Sequence, residues 1–519
     1  MSVSSPRASS RSSVSAVSIS SRSSRHPLLV LALPSARLSA PYLVSARRSC
    51  RFSFRSSASS SSSASKASAS ASGDSSSLVA PVVAPTPRVV ARGGGDDDGG
   101  LLPLPLIDAE KYRHVSPGVC DACASDADIR AAWAQLLIDQ IPAHQVQARR
   151  SEQANVGGVT YEAYERFEQA YHSWLEDMKQ PDWHPASGEA PTLLWMVREK
   201  ERLVREYGCG DVFAAMKDEE GQVALALYPE LCAELDGKSE LALSPDGVPA
   251  VLELALACCL AGNLFDAGAA WLIASEANCV DDECEVDLDS DGEPGLLLNN
   301  AKVADTFRAA RAFCERDGGW HYDDAAALSS RLTAKDGSGR PIRRAVVFCD
   351  NAGADTMGMV LLARTILQMM GDDAMVALTA NSSSALNDVT FAELEAFVDE
   401  ARRADAVVDD MLQSGRLVLL PSGQDSTLLD LGSISNELHA WVTSELDIVT
   451  SHDEWLIVLD GMGRSLESNF QAYEYVTQGT SVLTLAMIKS EINARRLEAN
   501  VKDCVVRLRT GERQLKNTS

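Results

Sequence analysis

The sequence predicts an α/β protein in which a doubly wound, mostly parallel, Rossmann-like three-layer sheet follows an N-terminal all-helical subdomain. Three observations support this fold class. After Arg343, short apolar runs alternate with segments long enough for crossover helices. Between Asp126 and about Ala270, apolar side chains recur instead at helical spacing, with few β-branched runs. Residues 1–73 contain nine Arg, one Lys and no acidic residue, and their serine runs cannot form a core.

These changes in composition divide the chain into three parts. Residues 1–100 are predicted to be a disordered transit peptide and linker, because Ser- and Arg-rich, acid-free N-termini are typical of organellar targeting. A chloroplast is favoured over a mitochondrion, and the protein would be cytosolic if this tail is only a solvated extension. Residues 101–335 are predicted to form the helical subdomain, with an acidic insertion near 276–300, and residues 336–519 the α/β domain.

The charge of the chain restricts its partners. Removal of the ten positive charges of the tail from the formal charge of −26 leaves about −36 on the remaining residues. Such a surface repels nucleic acid and anionic membranes, and no later segment has the roughly 20 apolar residues of a membrane span. Nucleic acid and membranes are therefore not expected partners, and the sequence does not define the oligomeric state.

Oxygen-bearing side chains follow the first two predicted strands. Asp350 and Asn351 come directly after the first strand, and Asp388 lies in the loop after the second. Ligands of doubly wound sheets bind beyond the carboxyl ends of the strands, and carboxylate and carboxamide oxygens suit a hard divalent cation. Each residue alone could instead cap the helix that follows it. The five predicted strands are 345–349, 375–379, 417–420, 456–459 and 482–485.

The third and fifth strands end in candidate substrate-binding residues. Ser422 and Gly423 follow the third strand, and Lys489 follows the fifth. A lysine at this edge could neutralise a transferring phosphoryl group, although a surface lysine is the simpler interpretation.

The fourth strand leads into Asp460-Gly461-Met462-Gly463-Arg464. The two glycines would let backbone N–H groups approach an anion, and the guanidinium could form a fork with phosphate oxygens. A tight turn would explain the glycines equally well.

Together with other motifs of the chain, these loops resemble those of the damage-control phosphatases, also described as the domain of unknown function 89 and as acidic-residue methyltransferase-like proteins. The resemblance is closest to subfamily II, which includes plant stand-alone enzymes and the phosphatase domain of pantothenate-kinase-like proteins. It is carried by residues 211–213, 217–220, 261–268, 346–355, 385–390, 461–464 and 467–469.

The resemblance implies a catalytic divalent metal, Mn, Ni, Co or Mg, on Asp350, Asn351 and Asp388. It also implies that the Gly-Met-Gly-Arg loop lies beside the substrate, and that Asn263 and Asp266 approach the same cleft from the helical half. Two departures from the family pattern stand out: Asp460 occupies the place of the usual Glu, and 383–384 is Ser-Ser instead of Gly-Pro.

The predicted function is hydrolysis of a small phosphomonoester by metal-activated water, the substrate being a phosphopantetheine-type, damaged or sugar-phosphate metabolite as the resemblance implies. An aspartyl-phosphate mechanism of the haloacid-dehalogenase type is disfavoured because Ala352 stands where a second Asp is required. One alternative is an S-adenosylmethionine-dependent carboxyl methyltransferase, which the lack of a glycine-rich turn after the first strand disfavours. The other is a catalytically silent binding protein of the same fold.

Overall fold

The computed structural model describes nine stretches of the chain, all within one compact unit that spans Ala84–Ser519. The predictions made for residues 1–99, for Asp266 and for the acidic insertion up to residue 299 lie outside the described residues. The described stretches are 100–113, 120, 122–238, 243–244, 246–264, 300–316, 319–334, 340–448 and 454–511.

A seven-stranded sheet forms the centre of the described fold, in the order β1-β7-β6-β5-β2-β3-β4. All neighbouring strands run parallel except β6 and β7, which pair antiparallel. The predicted α/β class with a mostly parallel sheet is therefore confirmed. The strands are β1 (Tyr322–Asp323), β2 (Ile342–Phe348), β3 (Met375–Ala380), β4 (Leu417–Pro421), β5 (Glu454–Asp460), β6 (Thr480–Met487) and β7 (Cys504–Thr510).

Thirteen α-helices are described. The first eight precede β2, and the others connect or flank the strands. They are α1 (Ala122–Ser125), α2 (Ala127–Ala154), α3 (Tyr161–Met178), α4 (Leu193–Glu206), α5 (Ala214–Gly237), α6 (Ala250–Leu264), α7 (Asn300–Phe313), α8 (Ala325–Leu332), α9 (Ala354–Met370), α10 (Phe391–Ala404), α11 (Ala406–Gln413), α12 (Asn436–Ile448) and α13 (Glu491–Arg496). The division into subdomains at residue 335 stays a prediction.

The central strands are buried on both faces. In β2, Ala345 and Val347 pack into a core with α5, α6 and α9, whereas Val346 and Phe348 pack on the opposite face against α12. Since buried parallel strands have no solvated face, they read as continuous apolar runs, and this is why the sequence revealed them. None of the described helices is long and apolar enough to cross a membrane.

Helix α6 lies unusually close to the start of α9. A Cβ atom on Gly262 would be only 2.6 Å from the Ala354 carbonyl oxygen and the Asp355 Cα, so only glycine fits there. The next residue along α6, Asn263, thereby reaches the carboxyl end of the sheet.

Candidate active site

The two loops that carry the predicted metal ligands are joined by backbone hydrogen bonds. Ala352 N donates to Asn387 O at 2.9 Å, and Val389 N donates to Asp350 O at 3.0 Å. These bonds follow from the parallel pairing of β2 and β3, which ends at Phe348 and Thr379. As a result, the structure brings Asp350, Asn351 and Asp388 together, and all three side chains are buried.

Arg464 lies between the two ligand carboxylates. Its Nε donates to Asp350 Oδ1 at 2.9 Å, one terminal nitrogen donates to Asp388 Oδ2 at 2.5 Å, and the other donates to Asn381 Oδ1 at 3.1 Å. The side chain is 1% exposed. A guanidinium presents its donors in a fixed plane, so this arrangement sets the relative orientation of both carboxylates. All three nitrogens of the Arg464 guanidinium donate to protein groups. Its contact with phosphate stays a prediction.

Asn351 is oriented by two carboxylates. Its amide nitrogen donates to Asp350 Oδ2 at 3.1 Å and to Asp355 Oδ2 at 3.2 Å, and Asp355 Oδ2 also accepts from its backbone N–H. Because the amide nitrogen is used in this way, the amide oxygen is the group that can face a cation. Asn263 donates to the same two carboxylates at 3.4 Å and accepts from Met487 N, so its predicted approach from the helical half is observed.

Burial and mutual repulsion raise the pKa values of the acidic side chains around this centre. The pKa of Asp388 lies well above its usual range because burial disfavours the charged form, although Arg464 opposes the shift. Burial followed by the charge of Asp350 raises the pKa of Asp355 to about 6. The pKa of Asp460 is raised for the same reasons, by burial and by the charges of Asp355 and Asp350. The site therefore contains more buried negative charge than its own cations offset.

The fourth loop begins with Asp460, which is 1% exposed, and continues with Gly461. Asp460 Oδ2 and Asp355 Oδ1 are buried, and a side-chain hydrogen bond links the two carboxyl groups. Gly461 has φ +82°, and a Cβ atom there would lie 2.0 Å from Asp350 Oδ2. This glycine thus allows close approach of the backbone to a ligand carboxylate, whereas its approach to a bound anion stays a prediction. After it, Met462–Glu467 form one π-helical turn, a distortion frequent at functional sites.

The remaining predicted substrate-binding residues surround this centre at different depths. Ser422 is buried, and its hydroxyl accepts from Gln424 N at 3.2 Å. Gly423 packs against Ser435, and Gly463 packs against Thr427. Lys489 is half-buried at the end of β6, where its charge acts on Asp355 and Glu467. The structure does not place a substrate, so their binding roles stay predictions.

Two site residues were missed in the sequence. Asp355 holds Asn351, and Asn381 donates to Asp388 Oδ2 at 3.0 Å while it accepts from Arg464. A signal for Asp355 was present in the sequence. The helix that contains it follows the strand that ends at Asp350, and an acidic residue in the first turn of such a helix faces the carboxyl edge of the sheet. It is also the type of residue that stabilises a helix N-terminus, and the sequence does not separate these two roles.

A small cavity adjoins the Asp388 loop on the side of the helical half. Ser384 and Leu386 from this loop line it together with His144, Lys200 and Glu201. Lys200 and Glu201 form a buried ion pair, with Nζ and Oε1 3.3 Å apart. Burial lowers the pKa of Lys200 and raises that of Glu201. No sequence pattern had identified these residues.

The donor set fits a hard divalent cation. Asp350, Asn351 and Asp388 supply only oxygen, and the surplus of buried carboxylates would be relieved by positive charge. Within the described residues, no group of three or more His, Cys, Asp or Glu side chains has a spacing that could hold a metal ion. The predicted triad combines two carboxylates with one carboxamide.

Comparison with known proteins gives the family. Residues 137–505 match the damage-control phosphatase ARMT1-like domain. A damage-control phosphatase of Arabidopsis thaliana is 28% identical over 72% of this chain and 86% of its own length. Pantothenate kinase 2 of the same plant is 31% identical over 78% of this chain and 41% of its own length.

Two further proteins are similar. The 4'-phosphopantetheine phosphatase of Mus musculus is 26% identical over 80% of this chain and 50% of its own length, so the chain spans about half or less of two of these relatives. A solved structure of a DUF89 family protein from Pyrococcus horikoshii covers 72% of this chain and 98% of that chain, at 14% identity and a TM-score of 0.40. The family match covers well over half of the sequence, and the chain therefore belongs to the damage-control phosphatase ARMT1-like domain family.

Proposed function

We propose that this protein is a metal-dependent phosphatase that hydrolyses small phosphomonoesters by attack of water. The observation that carries the proposal is the pair of buried carboxylates, Asp350 and Asp388, which Arg464 holds side by side with the Asn351 amide at the carboxyl edge of a parallel sheet. Relatives with this domain are named as phosphatases, which supports the same reaction.

Asp350, Asn351 and Asp388 would hold the cation, and Mn, Ni, Co and Mg all accept such oxygen donors. When bound, the cation would polarise the phosphoryl group and lower the pKa of the attacking water. Lys489, half-buried at the end of β6, would contribute a further positive charge toward phosphoryl oxygens.

The hydrogen bonds of Asp350 favour water over Asp350 as the attacking group. Its Oδ1 accepts from Arg464 and its Oδ2 accepts from Asn351 and Asn263. A carboxylate oxygen engaged in this way is a weaker nucleophile, because attack on phosphorus would require it to give up these bonds. The same bonds orient Asp350 as a ligand.

The proposed substrates are phosphorylated cofactor intermediates of the phosphopantetheine type, or damaged or sugar-phosphate metabolites. One relative is named as a 4'-phosphopantetheine phosphatase, and this supports the first class. The acidic body of the protein disfavours nucleic acids and other polyanions as substrates.

The test is phosphate release from a panel of phosphomonoesters by the purified full chain, with Mg²⁺, Mn²⁺, Co²⁺ or Ni²⁺ and with EDTA. Asp350→Ala is expected to lose activity with every metal, whereas Arg308→Met, which removes an exposed ion pair with Glu230, is expected to retain it. Absence of phosphate release by the wild-type chain with all four metals would refute the proposal. Equal activity of Asp350→Ala would refute the assignment of the site.

A further inference from the structure

Ion pairs around the buried Lys217 join the helical half to the start of α10, the helix that follows the Asp388 loop. Lys217, on α5, is 3% exposed, and its Nζ lies 2.5 Å from Asp211 Oδ2 and 2.7 Å from Glu393 Oε1. Burial alone would lower the pKa of Lys217, but the charges of Asp211 and Glu393 outweigh this effect and raise the pKa. The side chain therefore remains a cation with two carboxylate partners.

Glu393 connects this cluster to the Asp388 loop. Its Oε2 accepts from Thr390 N at 2.8 Å and from Lys217 Nζ at 3.0 Å. The Thr390 hydroxyl in turn accepts from Glu393 N, which completes a capping box at the start of α10. Thr390 lies two residues after Asp388, so the ammonium of Lys217 is one side chain away from the segment that presents a ligand carboxylate.

The Asp388 loop has a backbone that requires such support. Leu386 has φ +49°, in the left-handed region where a residue other than glycine costs about 1–2 kcal/mol. Strained conformations of this kind persist only when surrounding contacts hold them. On one side the loop is fixed to β2 by the Val389 N to Asp350 O bond. On the other side, Lys217 of α5 reaches the end of the loop indirectly, through Glu393 and its bond to Thr390 N.

Capping of α10 alone does not explain why Lys217 is buried against Glu393. A capping box requires only the Thr390 and Glu393 side chains and their backbone N–H groups, so a buried lysine is not a necessary part of a helix start. A buried ammonium carries a desolvation cost that is offset only in a specific geometry. We propose that Lys217 is a positioning residue that fixes the Asp388 loop through Glu393, and so holds the metal-binding carboxylate of Asp388 in register with Asp350.

This inference rests on the proposed function, because it assigns Lys217 a role toward the cation. Loss of a group that hydrogen-bonds a metal ligand directly typically costs 10- to 100-fold in metal affinity; Lys217 acts one step further out, so Lys217→Met is expected to weaken Mn²⁺ binding by about 10-fold, the lower end of that range. Lys217→Arg retains the charge and is expected to recover most of the affinity. Glu393→Gln retains the capping box but loses the charge, and is expected to fall between the two.

The experiment measures free Mn²⁺ by electron paramagnetic resonance in titrations of the purified full chain and its variants. Amide hydrogen exchange of residues 381–393 without metal gives a second readout, and faster exchange is expected in Lys217→Met. The double variant Lys217→Met/Asp211→Asn also removes the charge of Asp211, which loses its ion-pair partner in the single variant. The double variant replaces Lys217→Met in the titrations if the single variant does not fold. Arg308→Met is the matched control, because its partner Glu230 lies on the same helix as Lys217 but is exposed.

The outcomes separate the two proposals. Mn²⁺ binding by the wild type that is weakened in Lys217→Met, restored in Lys217→Arg and unchanged in Arg308→Met supports the positioning role. Wild-type binding that stays within twofold in Lys217→Met and in the double variant overturns that role and leaves the proposed function standing. Absence of Mn²⁺ binding and of phosphate release by the wild type overturns both.

Discussion

Replacement of Gly461 by alanine tests the geometry of the candidate site most directly. The new methyl group would lie 2.0 Å from Asp350 Oδ2 and 2.2 Å from Asp350 Cγ. Ordinary contact between non-bonded heavy atoms begins at about 3.5 Å, so the carboxylate and the loop must separate by about 1.5 Å. Asp350 is held by Arg464 and Asn351, and its displacement would disturb both.

The expected loss of activity follows from this displacement of Asp350. Misplacement of a catalytic group by about 1 Å typically costs about 100-fold in rate, so kcat/KM of Gly461→Ala is expected to fall at least about 100-fold. The backbone of Gly461, with φ 82° and ψ 156°, lies in a region that is essentially restricted to glycine, so alanine there costs about 1–3 kcal/mol of folding free energy. Weaker Mn²⁺ binding should accompany the loss of activity.

The assay compares phosphate release and urea unfolding of Gly461→Ala with those of Gly371→Ala. Gly371 has φ +94°, and a Cβ atom there would meet nothing within 4 Å, so this control imposes similar backbone strain without a collision. Gly371→Ala is expected to lose stability and to retain activity. Activity of Gly461→Ala within threefold of this control would refute the proposed role of the Gly461 contact.

Three further predictions concern the buried charges and the tail. Arg464→Met leaves two buried carboxylates without their cation, so its free energy of unfolding in EDTA should fall by about 3–5 kcal/mol in urea titrations; a loss below 1 kcal/mol would contradict the arrangement. Burial raises the pKa of Glu467 from 4.5 to about 7. The folded wild type therefore keeps a proton that the unfolded chain loses at lower pH. This contribution to the free energy of unfolding is fully present at low pH and is lost as the pH rises through about 7. Glu467→Gln should therefore become more stable relative to the wild type between pH 5 and pH 8, by up to roughly 3 kcal/mol in EDTA, and a difference that does not change with pH would contradict this assignment. We further propose that residues 1–80 direct a fluorescent protein to chloroplasts in plant cells; cytosolic fluorescence would refute the targeting proposal, and mitochondrial fluorescence would change the organelle.

The strands that the sequence revealed are continuous apolar runs, most of them buried along their whole length, although β4 at the edge of the sheet is partly exposed. Five apolar runs predicted β2 to β6 to within a few residues at each end, because parallel strands that are covered on both faces carry mostly apolar side chains. The sequence did not reveal β7, which alternates Arg507 and Arg509 with apolar residues and pairs antiparallel beside β6. It also did not reveal β1, which has only two residues and exists because β7 lies next to it.

The candidate ligands followed from a similar local rule. Asp350 and Asn351 stand directly after a strand, and the carboxyl ends of parallel strands meet at one edge, so their convergence with Asp388 was predictable. The hydrogen-bond partners of Arg464 were not predictable. Its sequence position allows contact with phosphate or with protein, and the choice depends on how deeply its loop enters the sheet edge.

By itself, then, the sequence determined the α/β class, the strand ends and the residue types that gather there, because hydrophobic burial and chain direction are encoded locally. Only the tertiary structure decided which groups touch. The approach of α6 at Gly262 brings Asn263 to Asp350, the fold of the Gly461 loop places Arg464 between two carboxylates, and α5 brings Lys217 to Glu393. These contacts join residues more than 75 positions apart, and they depend on packing distances that no local pattern in the chain records.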